Sequence, residues 1–199
     1  EQLMRRRPGE AAEVLWRCGD FHERIGVEAQ CRSNTLWHDE DTGRLLFSFF
    51  TTETVVEIDP VAQEAVRWFG QLDGGWGFER AEDAFFWQHG AQYTDEGTLL
   101  VSARTAPDVD ETVVREYALD EEARQLEQVW TFGLGDGVYG AKMGEPWQLE
   151  GGHILHNYGS TPRIREATAE GEVVWDIGWT GFQFVGRSTP LSDLYELVP

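Results

Sequence analysis

The sequence has little positive charge. Sixteen Lys and Arg stand against 36 Asp and Glu, a formal net charge of −20 over 199 residues. A nucleic-acid backbone needs clustered basic side chains, so that partner is excluded. The run Arg5-Arg6-Arg7 is too short to alter this and is expected within a strand. Long apolar stretches are also missing, so no segment has membrane-spanning length. There is no secretory leader pattern at the start of the sequence. Only two cysteines occur, Cys18 and Cys31, flanking one connection. In an oxidising compartment they would form a disulfide across it; otherwise they are two small core residues. No zinc-protease or zinc-finger spacing and no Gly-x-Ser-x-Gly motif is found, so neither a metal nor a serine-hydrolase elbow is expected.

What is present is repetition. Gly-x-Leu/Ile-Leu occurs as Gly43-Arg44-Leu45-Leu46, Gly97-Thr98-Leu99-Leu100 and Gly152-His153-Ile154-Leu155. Val/Ile-x-Glu follows each time, as Val55-Val56-Glu57, Val114-Arg115-Glu116 and Ile164-Arg165-Glu166. A Trp and a Gly close each unit: Trp68 with Gly70, Trp130 with Gly133, Trp175 with Gly178. Pro8, Trp16 and Gly19 are the remains of a similar unit at the start. The period, roughly fifty residues, is that of a repeat architecture. Within a unit the apolar runs are short, rich in β-branched and aromatic residues, and separated by Asp, Gly, Pro and Thr. Turn residues such as Asp41-Thr42-Gly43 and Asp95-Glu96-Gly97 suit hairpins. Strands at Asn34–His38, Gly90–Thr94 and Glu145–Leu149 complete four per unit.

Four-stranded antiparallel units at this period are propeller blades. The expected fold is therefore all-β: blades at 20–70, 71–133 and 134–178, the outer strands of another at 1–19, and a tail at 179–199. Three blades and part of a fourth do not close a ring. The sequence also starts at Glu1, in mid-blade. It is expected to be the C-terminal part of a longer, six-bladed propeller, or a half-ring that takes a partner. In the tail, Thr189 and Pro190 suit a helix start, and Leu191, Leu194, Tyr195 and Val198 would share one face of a short helix.

Nine Trp are many for this length. Trp16, Trp68, Trp130 and Trp175 recur at equivalent positions, which marks them as blade packing. Trp37, Trp76, Trp87, Trp147 and Trp179 fall outside the repeat and are candidates to face a cavity. Five histidines are available. His153 and His156 are three apart on an expected strand, so they point to opposite faces and do not share one metal. His89 precedes the innermost strand of its blade, where ligands converge on the axis; Ser33 and Gly144 stand at the equivalent places, so the repeat does not require it. A histidine there can serve as acid, base or nucleophile. Arg104 replaces Phe50 and Gly159 at its repeat position, and its planar fork suits sulfate, phosphate or carboxylate. Asp108, Asp110 and Glu111 form an acidic insertion without the spacing of a calcium loop, and read as a solvated hairpin tip.

Several segments together resemble the bacterial arylsulfotransferase family. They are Thr54-Val55-Val56-Glu57-Ile58-Asp59 with Val66-Arg67-Trp68-Phe69-Gly70, Gln88-His89-Gly90-Ala91 with Asp95-Glu96-Gly97-Thr98-Leu99-Leu100-Val101, and Val114-Arg115-Glu116-Tyr117 with Val129-Trp130. The ending Asp193-Leu194-Tyr195 is similar too. The resemblance implies a six-bladed propeller, located in the bacterial periplasm or outside the cell, that moves a sulfuryl group from an aryl sulfate to a phenol through a sulfohistidine, without a cofactor. It implies that His89 and Arg104 hold the sulfuryl group, that Asn34 and Arg32 contact substrate, and that His156 is the candidate nucleophile. Two positions depart from the family pattern. His-x-Asn-Ser appears here as Arg32-Ser33-Asn34-Thr35, and Ser-x-Arg as Ser48-Phe49-Phe50. A propeller that binds a small ligand or a protein without turnover is the alternative. A quinone-cofactor dehydrogenase would want vicinal cysteines or a calcium site near the axis, and the sequence shows neither.

Overall fold

The computed structural model describes residues 1–181 and 184–191. It opens with a hairpin of β1 (Gln2–Arg5) and β2 (Glu13–Arg17), then a helix α1 (Cys18–Ile25). Three antiparallel sheets follow. The first is β3 (Ser33–His38), β4 (Leu45–Phe49), β5 (Thr54–Asp59) and β6 (Glu64–Gly70), in that spatial order. A short β7 (Gly77–Phe78) precedes the second sheet, β8 (Phe86–Tyr93), β9 (Leu99–Arg104), β10 (Thr112–Asp120) and β11 (Gln125–Phe132). The third is β12 (Glu145–Gln148), β13 (Ile154–Asn157), β14 (Arg163–Ala167) and β15 (Val173–Gly178). Each sheet runs from its first strand to its last as a meander, which is the topology of a propeller blade. The fold is all-β, as the repeat predicts.

The repeat motif has a physical reason. In each blade the Glu of Val/Ile-x-Glu reaches back to the variable residue of Gly-x-Leu/Ile-Leu. Glu57 pairs with Arg44 at 2.6 Å, Glu116 accepts from the Thr98 hydroxyl at 2.6 Å, and Glu166 pairs with His153 at 2.6 Å. The residue opposite the Glu on the last strand is Arg67, Trp130 or Trp175. Arg67 and the Trp175 indole also bond their glutamates. In the first and third blades one carboxylate thus ties the hairpin to the outer strand. His153 is held in this role, while His156 faces the opposite way into the core.

Three elements differ from expectation. Helix α1 occupies the connection between the opening hairpin and the first blade, where no helix was foreseen. Cys18, Phe21 and His22 are its buried face, and Gly26 ends it at φ +73°, in the left-handed region that suits glycine. Strand β7 adds a fifth, parallel member to the outer edge of the second sheet, beside β11. Arg6 and Arg7 lie beyond β1, in the turn rather than in a strand. The expected tail helix, with Leu194, Tyr195 and Val198, and the Asp193-Leu194-Tyr195 ending lie outside the described residues.

Packing between blades sets the site. A core of Leu46, Val55, Phe69, Trp76, Phe85, Leu99 and Tyr117 joins the first two sheets. Leu100, Val114 and Phe132 meet Ile154 and Ala167 to join the second and third. Strand β8 sits between its neighbours. The fully buried Gln88 donates to Phe49 O at 3.1 Å and Thr54 O at 3.0 Å in the first blade, and Gln92 donates to the Pro146 carbonyl in the third. Gly90, at φ +63°, lets β8 touch β12: a Cβ there would lie 2.8 Å from Glu145 Cα and from Gly144 O. Such an approach tolerates no side chain.

Candidate functional site

A cavity of about 280 Å³ opens where the ends of β8 and β9 meet the loop before β12. Its size suits a small organic ligand. Strand β9 contributes Ser102 and Arg104, which share a face because side chains alternate along a strand. His89 on β8 is the register partner of Ser102. The register shifts on either side of His89, and these bulges re-aim the side chains of β8. Trp87, at φ +50°, stands at the rim in a conformation that bulky residues seldom adopt. It stacks on Phe50, with ring centroids 6.0 Å apart. Ala141, Lys142 and Met143 form the opposite wall.

Arg104 is held rather than free. Its guanidinium lies 5.2 Å from the Trp87 ring centroid and 4.7 Å from that of Tyr139. It also donates to the Tyr139 hydroxyl and to Pro107 O at 3.4 Å. Asp110, from the acidic insertion, approaches it only at 4.0 Å. Glu111 of the same insertion instead accepts from the Gly135 and Gly137 amides, at 2.9 and 3.0 Å. The second cation is Lys142. Fifteen of the sixteen basic residues are arginine, and Lys142 is the one lysine in the chain. Gly159, at φ +63°, allows the Lys142 backbone to pass where a Cβ would lie 2.3 Å from its carbonyl oxygen. No ion pair to Lys142 occurs among the described residues.

Two imidazoles flank Ser102. Burial pushes His89 down to about 4, and a hydrogen bond to the Gly144 backbone offsets this only in part. His89 is therefore neutral at neutral pH. His156 is fully buried behind the cavity wall, with Nε2 2.9 Å from Ser102 Oγ. Burial, and then the Arg165 charge, pushes it down to about 3. The His156 Nδ1 has no hydrogen-bond partner. A buried N–H without a partner is rarer than an unused lone pair, which assigns the proton to Nε2. His156 then donates to Ser102, and the Ser102 hydroxyl hydrogen is free to turn into the cavity.

Neutral buried histidines have a consequence for stability. Both folded values lie below the ordinary 6.5. Their contribution is complete above about pH 6.5 and is lost as pH falls through about 4 and then about 3. Acid titration of the unfolding midpoint should show His89→Gln with a shallower fall between pH 6.5 and 4 than the parent; equal slopes would contradict the burial of that ring.

The structure brings His89, Arg104 and Asn34 to one cavity. Asn34 is anchored by a 2.6 Å hydrogen bond from Nδ2 to Gln88 O, and its Oδ1 has no partner. Phe50 lies on the same wall. His156 reaches the cavity only through Ser102. Arg32 is exposed, outside the lining, and only its backbone N–H is bonded, to Thr51. Of the non-repeat tryptophans, Trp87 lines this cavity, Trp37 and Trp147 line a second one, Trp179 a shallow surface depression, and Trp76 is core. Ser102 and Lys142 were not singled out by the sequence. Lysine's single occurrence was the one signal available for Lys142, whereas the Ser102–His156 contact spans 54 residues and had none.

The fold and this site define a β-propeller protein with a cationic, aromatic-walled cavity where the three blades meet. The sequence model of the Arylsulfotransferase (ASST) family matches residues 31–182, and the chain belongs to that family. No curated protein sequence matches the chain. Among solved structures, a protein provisionally called a gluconolactonase is similar over 90% of this chain and 57% of its own, at 16% identity and a TM-score of 0.51. A protein of unknown function from Bacteroides caccae is similar over 78% of this chain and 49% of its own, at 13% identity and a TM-score of 0.48. Virginiamycin B lyase from Staphylococcus aureus is similar over 77% and 47%, at 8% identity and a TM-score of 0.43. These likenesses concern the fold. The chain spans about half the length of the structures it matches. No helix among the described residues is long and apolar enough to cross a membrane.

Proposed function

We propose that the cavity binds the sulfate ester of a phenol and passes its sulfuryl group through a histidine to a second phenol. The observation that carries this reading is the meeting of a neutral His89 with Arg104 and Lys142 beside an aromatic wall. The ring of an aryl sulfate suits Trp87 and Phe50. Its anionic oxygens suit the two cations and the free hydrogen of Ser102. His89 is the histidine that lines the cavity, so we assign it the attack; His156, behind Ser102, orients that hydroxyl. In the first step an N–S bond forms at His89, the S–O bond to the aryl group breaks, and its electron pair leaves as phenolate. In the second step the acceptor's oxygen attacks sulfur, the N–S bond breaks with its electron pair returning to the imidazole, and the acceptor's phenolic proton passes to water or to the departed phenolate. No cofactor is required. The disulfide described below suits an oxidising compartment, so we place the protein in the periplasm or outside the cell.

Phe50 on the cavity wall and the sealing of His156 also favour a second reading, a propeller that binds aryl anions without turnover. One experiment separates the two. The protein is exposed to a chromogenic aryl sulfate, and intact mass and peptide mapping follow. Transfer predicts phenolate release and a sulfuryl adduct on the peptide containing His89. Saturable binding with neither release nor adduct would leave only the binding reading.

A further inference from the structure

Cys18, His22 and Cys31 lie together, away from the cavity, and neither reading of the function uses them. Cys18 and His22 are one turn apart on the buried face of α1, and the loop after Gly26 brings Cys31 to them. The cysteines form a disulfide with Cα atoms 6.0 Å apart. The ligand atoms of all three residues lie within 4.8 Å of one another. His22 Nε2 is 3.6 Å from Cys18 Sγ, while Nδ1 is 3.2 Å from Ala29 O and 3.6 Å from Cys31 Sγ. With the proton on Nδ1 donated to the Ala29 carbonyl, the Nε2 lone pair is on the side of Cys18 Sγ, and Cys31 Sγ, which lies against Nδ1, turns toward it once the disulfide opens. Histidines that bind metals are held in this way, by a carbonyl on the far nitrogen.

We propose that the thiol form of this cluster is a zinc(II) site, with Cys18 Sγ, Cys31 Sγ and His22 Nε2 as ligands and one position open to water. Two thiolates and one imidazole are an established zinc donor set, and two thiolates neutralise the ion. With Zn–S bonds of about 2.3 Å at tetrahedral angles, the two sulfurs stand roughly 3.8 Å apart. The 6.0 Å Cα separation accommodates that spacing as well as a disulfide. Cys18 and His22 are buried and Cys31 is half-buried, so one side of the cluster is open to an entering ion. The disulfide and the metal exclude each other. Zinc therefore binds before the cysteines are oxidised or after the bond is reduced. Reduction by a phosphine consumes one water: the phosphorus takes the oxygen, and the two sulfurs take the two hydrogens. Zinc binding then releases the two thiol protons. Cys18-x3-His22-x8-Cys31 matches no common zinc spacing, which is why sequence inspection passes over it.

The test is a cobalt(II) titration of the full chain under nitrogen, before and after phosphine reduction. The reduced protein should take one cobalt per chain, with a thiolate-to-cobalt charge-transfer band in the near ultraviolet that zinc abolishes. The oxidised protein should show no band. Cys31→Ser should lose about half the band and bind at least about tenfold more weakly, and His22→Ala should weaken binding about 10–100-fold. If reduction unfolds the chain, zinc should restore its native circular dichroism. Absence of the band in folded reduced protein would overturn the proposal. So would a band equal in the oxidised protein or in Cys31→Ser, or unfolding on reduction that zinc does not reverse. None of these results depends on the reading of the cavity.

Discussion

His89→Ala should lower the turnover of a chromogenic aryl sulfate by at least about a thousandfold, because it removes the attacking atom rather than a contact. Arg104→Ala should lower it by about a hundredfold, since the guanidinium stabilises charge on oxygen but does not form the bond. The two losses should differ in kind. Arg104→Ala weakens substrate affinity along with turnover, while His89→Ala leaves binding of the unreacted ester close to that of the parent. His156→Ala should fall between them, because Ser102 loses its orienting donor. The pH profile is a further check. Only the unprotonated ring attacks, and burial holds His89 at about 4. Turnover should rise with pH through about 4 and show no inflection near 6.5. An inflection at 6.5 would contradict the burial of the reacting histidine, and a His89→Ala protein that turns over like the parent would remove His89 from the chemistry and return that role to His156.

What could be read from the sequence follows the repeat. The hairpin glycines, the Leu-Leu strands and the Glu of Val/Ile-x-Glu recur because each blade meets the same need, a carboxylate that accepts from the hairpin residue beside it. A need met three times leaves a pattern. The site is built where the blades differ. His89 and Arg104 were legible because each interrupts its repeat position, and both face the cavity. Ser102 was not, because it looks like an ordinary strand serine until His156, 54 residues away, lies against it. Lys142 sits in a loop that packs against the Tyr158–Ser160 turn, a tertiary contact without local signal. Helix α1 escaped because eight residues carry too few turns for a helical period to stand out against the surrounding strands. Arg32 is the converse case: the resemblance placed it with Asn34 against substrate, yet its side chain is exposed while that of Asn34 reaches the cavity.

Stability should respond most to Glu57. Its side chain is 1% exposed and accepts from Arg44 at 2.6 Å, from Tyr93 at 2.7 Å, and from Arg67. Arg67 lies on β6 of the first blade and Tyr93 on β8 of the second, so this carboxylate fastens two blades. Burial opposes its ionisation, but hydrogen bonds from Tyr93, Arg44 and Arg67 outweigh that and hold its pKa below the usual carboxylate value. Removing it leaves the Arg67 guanidinium, which is 18% exposed, with only the exposed Glu121 as an ion-pair partner, and takes away the acceptor of the Tyr93 hydroxyl. Losing one partner of a buried ion pair costs about 3–5 kcal/mol. For a chain of this size that is a fall in Tm of about 10 °C. Glu121 supplies the control. It also pairs with Arg67, at 2.7 Å, but is 72% exposed. Glu121→Ala should therefore change stability by less than about 1 kcal/mol. Because the folded pKa of Glu57 is depressed, its contribution is present above the unfolded value of 4.5 and is lost as pH falls through the folded one. The gap between parent and Glu57→Ala should thus narrow in acid. If denaturant titration at pH 7 finds Glu57→Ala no less stable than Glu121→Ala, Glu57 does not fasten the two blades, and the repeated glutamate has another purpose.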